Sequence, residues 1–281
     1  KKNKRPIFSI ITVVFNGENY LRKTIESVKK QSFKDYEYII IDGGSKDDSL
    51  KIIKEYKNDI DYWISEKDKG IYDAFNKGMK LAKGKFIGII NSDDIYKPNA
   101  LKIINKYITT NPKIDFIFGS VKKHWGILHG YRPHKIKYSW GFYSSHSTGF
   151  FLRRKAAKKV GKYDLRYKYH ADYDYFYRLI VKKKMLGMAT KKNEVVGIFR
   201  RGGFSSTIKF RELFKEEIKI RYNNGQNILL LLVITMYRAI KHLDKLFRWL
   251  FINWKYINRK IKIKNEYFIN RRMWFHRLFF K

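Results

Sequence analysis

The chain has 281 residues, of which 62 are Lys or Arg, 25 are Asp or Glu and none is Cys, giving a formal net charge of +37 at pH 7. That length accommodates one large α/β domain with an appendage. The missing Cys excludes disulfides and thiolate chemistry, and so basic a balance predicts an anionic partner: nucleic acid, an acidic membrane surface or phosphorylated substrates.

In chain order, Lys1 to Arg5 ahead of Ile7 to Ile11 is weakly similar to a signal peptide. No small-residue cleavage site follows and the run ends at Asn16-Gly17, so a first buried strand is predicted over Ile7 to Phe15. A helical pattern runs through Tyr20, Leu21, Ile25 and Val28. Tyr36 to Ile41 is a second strand, ending at Asp42-Gly43-Gly44-Ser45, where the glycines permit a tight turn and a close ligand. Ser49 to Tyr56 is a helix, Ile60 to Ser65 a short strand, and the stretch Lys69 to Gly78 opens a helix reaching about Ala82. Phe86 to Ile90 is apolar without alternation, the pattern of a strand buried on both faces of a parallel sheet. It stops at Asn91-Ser92-Asp93-Asp94, with Pro98 barring extension.

Strand and helix alternate at α/β spacing, and ligands of such sheets bind outside the carboxyl ends of the strands. Asp93 and Asp94 stand there, and their hard oxygens suit Mg²⁺ or Mn²⁺ bridging to phosphates. The plain alternative is that both turn the chain and cap the next helix. No G-x-x-x-x-G-K-[ST] occurs, which excludes a P-loop NTPase, and no G-x-G-x-x-G follows the first strand, which argues against a dinucleotide-binding domain.

Further on, Ile114 to Ser120 reads as a strand and Lys122 to Tyr143 as a basic, aromatic segment of no clear period. Beyond about Gln226, apolar residues recur at spacings of four and three from Leu229 through Val233, Met236, Ile240, Leu243, Phe247, Leu250, Trp254 and Ile257 to Ile261. Lys and Arg occupy the opposite side almost without acids, which fits an amphipathic element on an anionic membrane better than a coiled coil of mixed charge. Leu229 to Ile234 comes nearest to a spanning helix and is too short. Packing on the catalytic domain or on a second copy is the runner-up.

The segments Thr12 to Asn16, Asp42 to Ser45, Asp68 to Asp73 and Asn91 to Asp94 resemble, in order and spacing, the motifs of family 2 glycosyltransferases, most of all the O-antigen and capsule type. The resemblance covers roughly residues 6 to 210. It implies a GT-A fold: an α/β domain with a mostly parallel central sheet flanked by helices, here residues 1–225, followed by a helical tail, 226–281. It further implies an inverting transfer of sugar from a nucleotide-diphospho-sugar, UDP in the first instance, to a hydroxyl of a glycan acceptor in surface polysaccharide or glycoconjugate synthesis. With the tail, the acceptor is expected to be lipid-linked and the enzyme peripheral on the cytoplasmic face of a membrane.

By the same resemblance, Asp42 accepts the uracil imide N–H, with an Asx-turn as the alternative or the companion reading. Phe15 lies along the base unless it is a core residue, and Asn16 and Gly43 border the donor. Lys69 brings positive charge where many relatives carry Arg, or is a solvated surface lysine. The Asp-x-Asp element maps onto Asn91-Ser92-Asp93: Asp93 keeps the metal-ligand place, Asn91 replaces the first carboxylate and can bond the ribose, and Asp94 caps or supports. His146 is a candidate contact for an acceptor phosphate, with a structural histidine as the alternative. In His170-Ala171-Asp172 the family's Glu is replaced by Ala171, and Asp172 matches the catalytic base, against the alternative of an N-cap. Arg201, Gly202 and Gly203 lie in a segment similar to the loop that closes over the donor diphosphate.

Two other classes are weighed. A sugar nucleotidyltransferase shares fold and metal, but its glycine-rich triphosphate loop after the first strand is missing. A nucleic-acid-binding protein accounts for the charge and aromatics, not for buried strands with acidic ends, so no nucleic-acid partner is expected.

Overall fold

The unalternating apolar runs become the middle of a sheet covered on both faces. In the computed structural model, residues 5–138, 147–200 and 208–241 are described, and the chain divides into two units, residues 1–227 and 228–281. Strand β1 (Phe8–Val14) is buried along its whole length. It pairs in parallel with β2 (Tyr36–Asp42) on one side and β4 (Phe86–Asn91) on the other. Alternate residues serve opposite faces: Ile11, Val13, Ile39, Ile41, Ile87 and Ile89 join one core cluster, while Ile10, Val14, Ile40 and Ile90 join the other. The crossover helices α1 (Glu18–Lys29), α2 (Ser49–Glu55) and α3 (Ile71–Leu81) lie between these strands in sequence. β3 (Tyr62–Ser65) extends the parallel set beyond β2.

The far half of the sheet was less legible. After β5 (Ile95–Tyr96) and α4 (Ala100–Thr110), the single strand predicted over Ile114 to Ser120 is two: β6 (Phe116–Phe118) and β7 (Ser120–Lys123). The chain changes sheets at Gly119, where a Cβ would collide with Val196. β8 (Gly126–Leu128) returns antiparallel on β7, and α5 (Lys135–Tyr138) follows. β9 (Phe150–Arg153) inserts antiparallel between β4 and β6, ahead of α6 (Arg154–Val160), α7 (Ala171–Tyr177), β10 (Gly187–Ala189) and β11 (Val195–Ile198). The larger sheet has the order β10-β6-β9-β4-β1-β2-β3, and a smaller one the order β5-β11-β7-β8. Strand order reverses between β1 and β4, so the crevice outside their carboxyl ends is the topological switch point. Register sets Asp42 opposite Val14 and Asn91 opposite Val13, which brings the first, second and fourth acidic or polar strand ends together.

Helix α8 (Phe210–Asn223) closes the first unit. Its Arg221 is wholly buried. The guanidinium donates to Glu217 Oε1 at 2.9 and 3.2 Å, to Gln226 Oε1 at 2.9 Å and to the carbonyl of Lys137 at 2.9 Å, fastening α8 to α5. In the second unit, α9 (Ile228–Lys241) carries Leu229, Val233, Met236 and Ile240, all exposed. The rest of the predicted seam, from Leu243 onward, lies outside the described residues. Among the described residues no helix is long and apolar enough to cross a membrane.

Removing one partner of a buried charged pair leaves the other uncompensated, at about 3–5 kcal/mol. Arg221→Met is therefore expected to lower unfolding free energy by about 3 kcal/mol in chemical denaturation; a loss below about 1 kcal/mol, the scale of an exposed pair, would show that the network adds little.

Candidate active site

The loops leaving β1 and β2 are zipped together. The Gly43 amide donates to Val14 O at 2.8 Å, the Asn16 amide to Ser45 Oγ at 2.8 Å, the Lys46 amide to Asn16 Oδ1 at 2.9 Å and the Gly17 amide to Ser49 Oγ at 2.8 Å. Asn16 adopts φ of 49°, a left-handed conformation that Asn tolerates better than most residues. Phe15 is turned outward at 63% exposure, so it is not a core side chain. A Cβ on Gly17 would stand 2.9 Å from Ser92 Oγ, which measures how closely the first and fourth strand ends approach.

Asp42 is fully buried. Its Oδ1 accepts from Ser45 Oγ at 2.5 Å, and Oδ2 from the Ser45 amide at 3.1 Å and from Ser65 Oγ at 2.6 Å. Three of its roughly four lone-pair sites are thereby engaged, two by the loop itself and one by the end of β3. Beside it, Asp68 packs tightly on Gly43, where a Cβ would collide with the Asp68 carboxylate unless that side chain moved. Asp68 Oδ1 accepts the Gly70 amide at 2.9 Å. Burial raises the Asp68 pKa above the ordinary carboxylate value, the Gly70 amide and Lys77 oppose this, and Asp73 and Asp42 add to it. Lys69 is exposed, with its amide on Asp73 Oδ2 at 3.1 Å.

At the end of β4 the two adjacent carboxylates part ways. Asp94 is fully buried; it accepts from the Thr148 hydroxyl and, at 3.2 Å, from the Arg200 amide. Burial pushes its pKa up to about 7 against the Thr148 bond, with Asp93 adding to the rise. Asp93 is half-buried and has no side-chain hydrogen bond or ion pair among the described residues; burial raises its pKa also. Asn91 donates through Nδ2 to Ser147 Oγ at 3.3 Å, while its buried Oδ1 has no partner among the described residues. Ser92 lies half-buried between them. Oxygen donors at 91 and 93, one an orphaned amide oxygen and one an uncommitted carboxylate, fit a hard divalent cation completed by phosphate and water. No group of three or more His, Cys, Asp or Glu side chains forms a ready-made metal site among the described residues.

Asp172 is the second residue of α7, whose N-cap is His170. Its Oδ1 accepts the Tyr173 amide at 2.8 Å and the Tyr72 hydroxyl at 3.2 Å, and no other described residue engages Oδ2. Burial raises its pKa to about 6, against those two bonds and with Glu216 adding to the rise. Asp174, two residues on, is spent otherwise: Arg178 Nε and Asn224 Nδ2 each donate to it at 2.8 Å. His146, Arg201, Gly202 and Gly203 lie outside the described residues. Sequence reasoning missed Asp68 as a neighbour of Asp42, Tyr72 as a neighbour of Asp172, Thr148 on Asp94, and Glu216. Tyr72 stands within a quoted motif, yet nothing local links it to a residue 100 positions away.

A carboxyl with a pKa near 6 is a base at neutral pH and loses that capacity as protons bind. Turnover is expected to fall about tenfold per pH unit below about pH 6. Asp172→Asn is expected to lose about 10²–10⁴-fold in kcat while keeping donor affinity; a near-native rate in that variant would leave Asp172 as a helix residue only.

The family profile described as Glycosyl transferase family 2 matches residues 9–180. An uncharacterized glycosyltransferase of Methanocaldococcus jannaschii is 30% identical over 224 residues, covering 75% of this chain and 77% of its own length. A PGL/p-HBAD biosynthesis glycosyltransferase of Mycobacterium bovis is 28% identical over 224 residues, covering 75% and 83%. Among solved structures, S. aureus TarS in complex with UDP-GlcNAc aligns with TM-score 0.62 at 17% identity, over 84% of this chain and 72% of that one. A longer TarS chain is matched over 43% of its length. A mannosyltransferase of Pyrobaculum calidifontis in complex with GDP-Man and Mn²⁺ aligns with TM-score 0.62 at 15% identity, over 86% and 71%. These likenesses identify the fold as GT-A.

Proposed function

The chain belongs to glycosyl transferase family 2, and from that premise we propose that it moves a sugar from a UDP-sugar to a hydroxyl of a glycan acceptor, inverting the anomeric centre. The observation that carries the reading is the Asp172 carboxylate, with Oδ1 held by Tyr72 and Tyr173, Oδ2 open among the described residues and a pKa raised to about 6. A one-step displacement needs one general base. Asp172 takes the acceptor hydroxyl's proton as that oxygen bonds to the sugar's anomeric carbon, while the bond to the diphosphate breaks and the nucleotide leaves with the electron pair.

The donor base lies along exposed Phe15, over the Asn16 turn and the Gly43 approach where Asp42 and Asp68 meet. Two carboxylates at that place suit the imide N–H of uracil, and Lys69, Ser92 and the Arg201-Gly202-Gly203 loop complete the donor site. Asp93, with Asn91 Oδ1, would hold Mg²⁺ or Mn²⁺, which when bound offsets negative charge building on the leaving diphosphate. His146 is the candidate acceptor contact.

The acceptor is lipid-linked and the tail keeps the enzyme on an anionic membrane. The exposed apolar residues of α9 support this, together with the one-signed charge of the sequence beyond it.

Calorimetric titration with a panel of nucleotide sugars, with and without Mn²⁺, tests the donor. UDP-sugars are expected to bind best, and Asp93→Asn to lose at least about tenfold of the Mn²⁺-dependent affinity, the low end of what disturbing a metal's surroundings costs. Unchanged affinity and Mn²⁺ response would remove Asp93 from the metal site. Sedimentation with anionic vesicles tests the tail: the full chain is expected to bind and to be released as salt rises, whereas a salt-strengthened dimer that ignores vesicles would make the seam a subunit interface.

A further inference from the structure

Glu216, on α8, is half-buried in a strongly basic chain, yet among the described residues no Lys, Arg or His side chain pairs with it. Its carboxylate instead accepts three successive backbone amides: Lys168 at 2.6 Å on Oε1, and Tyr169 at 2.8 Å and His170 at 2.7 Å on Oε2. Consecutive amides converging on one anion form a concave receptor, and each bond is charge-assisted. These three residues are the chain that leads into α7: His170 is its N-cap and Asp172 its second residue. The same segment is held from the other side, since the Tyr72 hydroxyl lies 3.0 Å from Tyr169 O and 3.2 Å from Asp172 Oδ1. Glu216 and Tyr72 thus grip one turn of chain between α8 and α3.

At position 171, where the family resemblance leads one to expect Glu, this chain has a fully buried Ala. A carboxylate reaches the same turn nonetheless, carried by a different element. We propose that Glu216 is the positioning residue for Asp172: by fixing the amides of residues 168–170 it sets the start of α7, and with it the carboxylate that takes the acceptor's proton. The inference rests on Asp172 being the base. Glu216 touches neither sugar nor acceptor; it acts through the segment it holds. Its charge also favours proton uptake at Asp172, against the Tyr72 hydroxyl bond.

The test is a double-mutant cycle in the full chain: wild type, Glu216→Gln, Asp172→Asn and the double variant, with Glu216→Asp to retain the charge and Glu212→Gln as an exposed control on the same helix. Turnover is read as UDP release from the UDP-sugar that gives the highest wild-type rate, donor binding by titration with UDP and Mn²⁺, and the segment by amide hydrogen exchange. Glu216→Gln is expected to lower kcat about 10- to 100-fold with donor affinity within about twofold, and to speed exchange at residues 168–170, because residues acting as a unit fail together. In the Asp172→Asn background it should cost almost nothing more. Glu216→Asp should recover part of the rate, and it carries the same cycle should the Gln variant not fold. Native kcat in Glu216→Gln, or a further full loss in the double variant, overturns the positioning role alone. Native kcat in Asp172→Asn overturns the base assignment itself.

Discussion

A buried carboxylate joins the two sheets at the point where the site is built. Asp94 receives the Thr148 hydroxyl and the Arg200 amide, its own amide bonds Asn91 O at 3.1 Å, and its carbonyl receives Thr24 Oγ1 from α1 at 2.8 Å. One residue therefore ties the end of β4 to α1, to the turn before β9 and to the end of β11. A carboxyl withdrawn from water without donors is costly, by several kcal/mol. The surrounding groups must therefore keep their places around Asp94, and the strand end carrying Asn91 and Asp93 is fixed as a consequence.

Two kinds of acid stand out in this basic chain. Asp42, Asp94, Asp174 and Glu217 are buried and accept from hydroxyls, amides or guanidinium groups. They shape loops and helix starts. Asp93 and Asp172 are half-buried, desolvated enough to raise their pKa values, and retain oxygens that no other described residue engages. Partial burial without full satisfaction raises the free energy of the ionised group, which a structure tolerates where a ligand or a proton is to be received. Glu216 belongs to neither kind, being satisfied by backbone amides alone, at the base of the helix that carries Asp172.

Much of the nucleotide-binding half was legible because its signals are local. The strands β1, β2 and β4 announce themselves as apolar runs without alternation, and each ends in residues that cannot continue a buried strand. The far half gave weaker signals. β9 is four residues long and comes after a segment of no clear period, and Gly119 looked like the interior of one strand when it is the point where the chain crosses from one sheet to the other. Neither fact has a periodicity that could reveal it, since both depend on what packs alongside.

The sequence alone determined a parallel α/β architecture and placed Phe15, Asp42, Asn91 and Asp93 at strand ends, because burial period and turn chemistry are written within a few consecutive residues; Asp172 at a helix start came from the family resemblance. Only the tertiary structure decided which carboxylates are engaged and which are left open. The partners that decide it are distant in the chain: Tyr72 lies 100 residues from Asp172, Thr148 54 residues from Asp94, and Glu216 between 46 and 48 residues from the amides it holds. Hydrogen bonding across such separations is settled by packing geometry, and a single sequence carries no local trace of it.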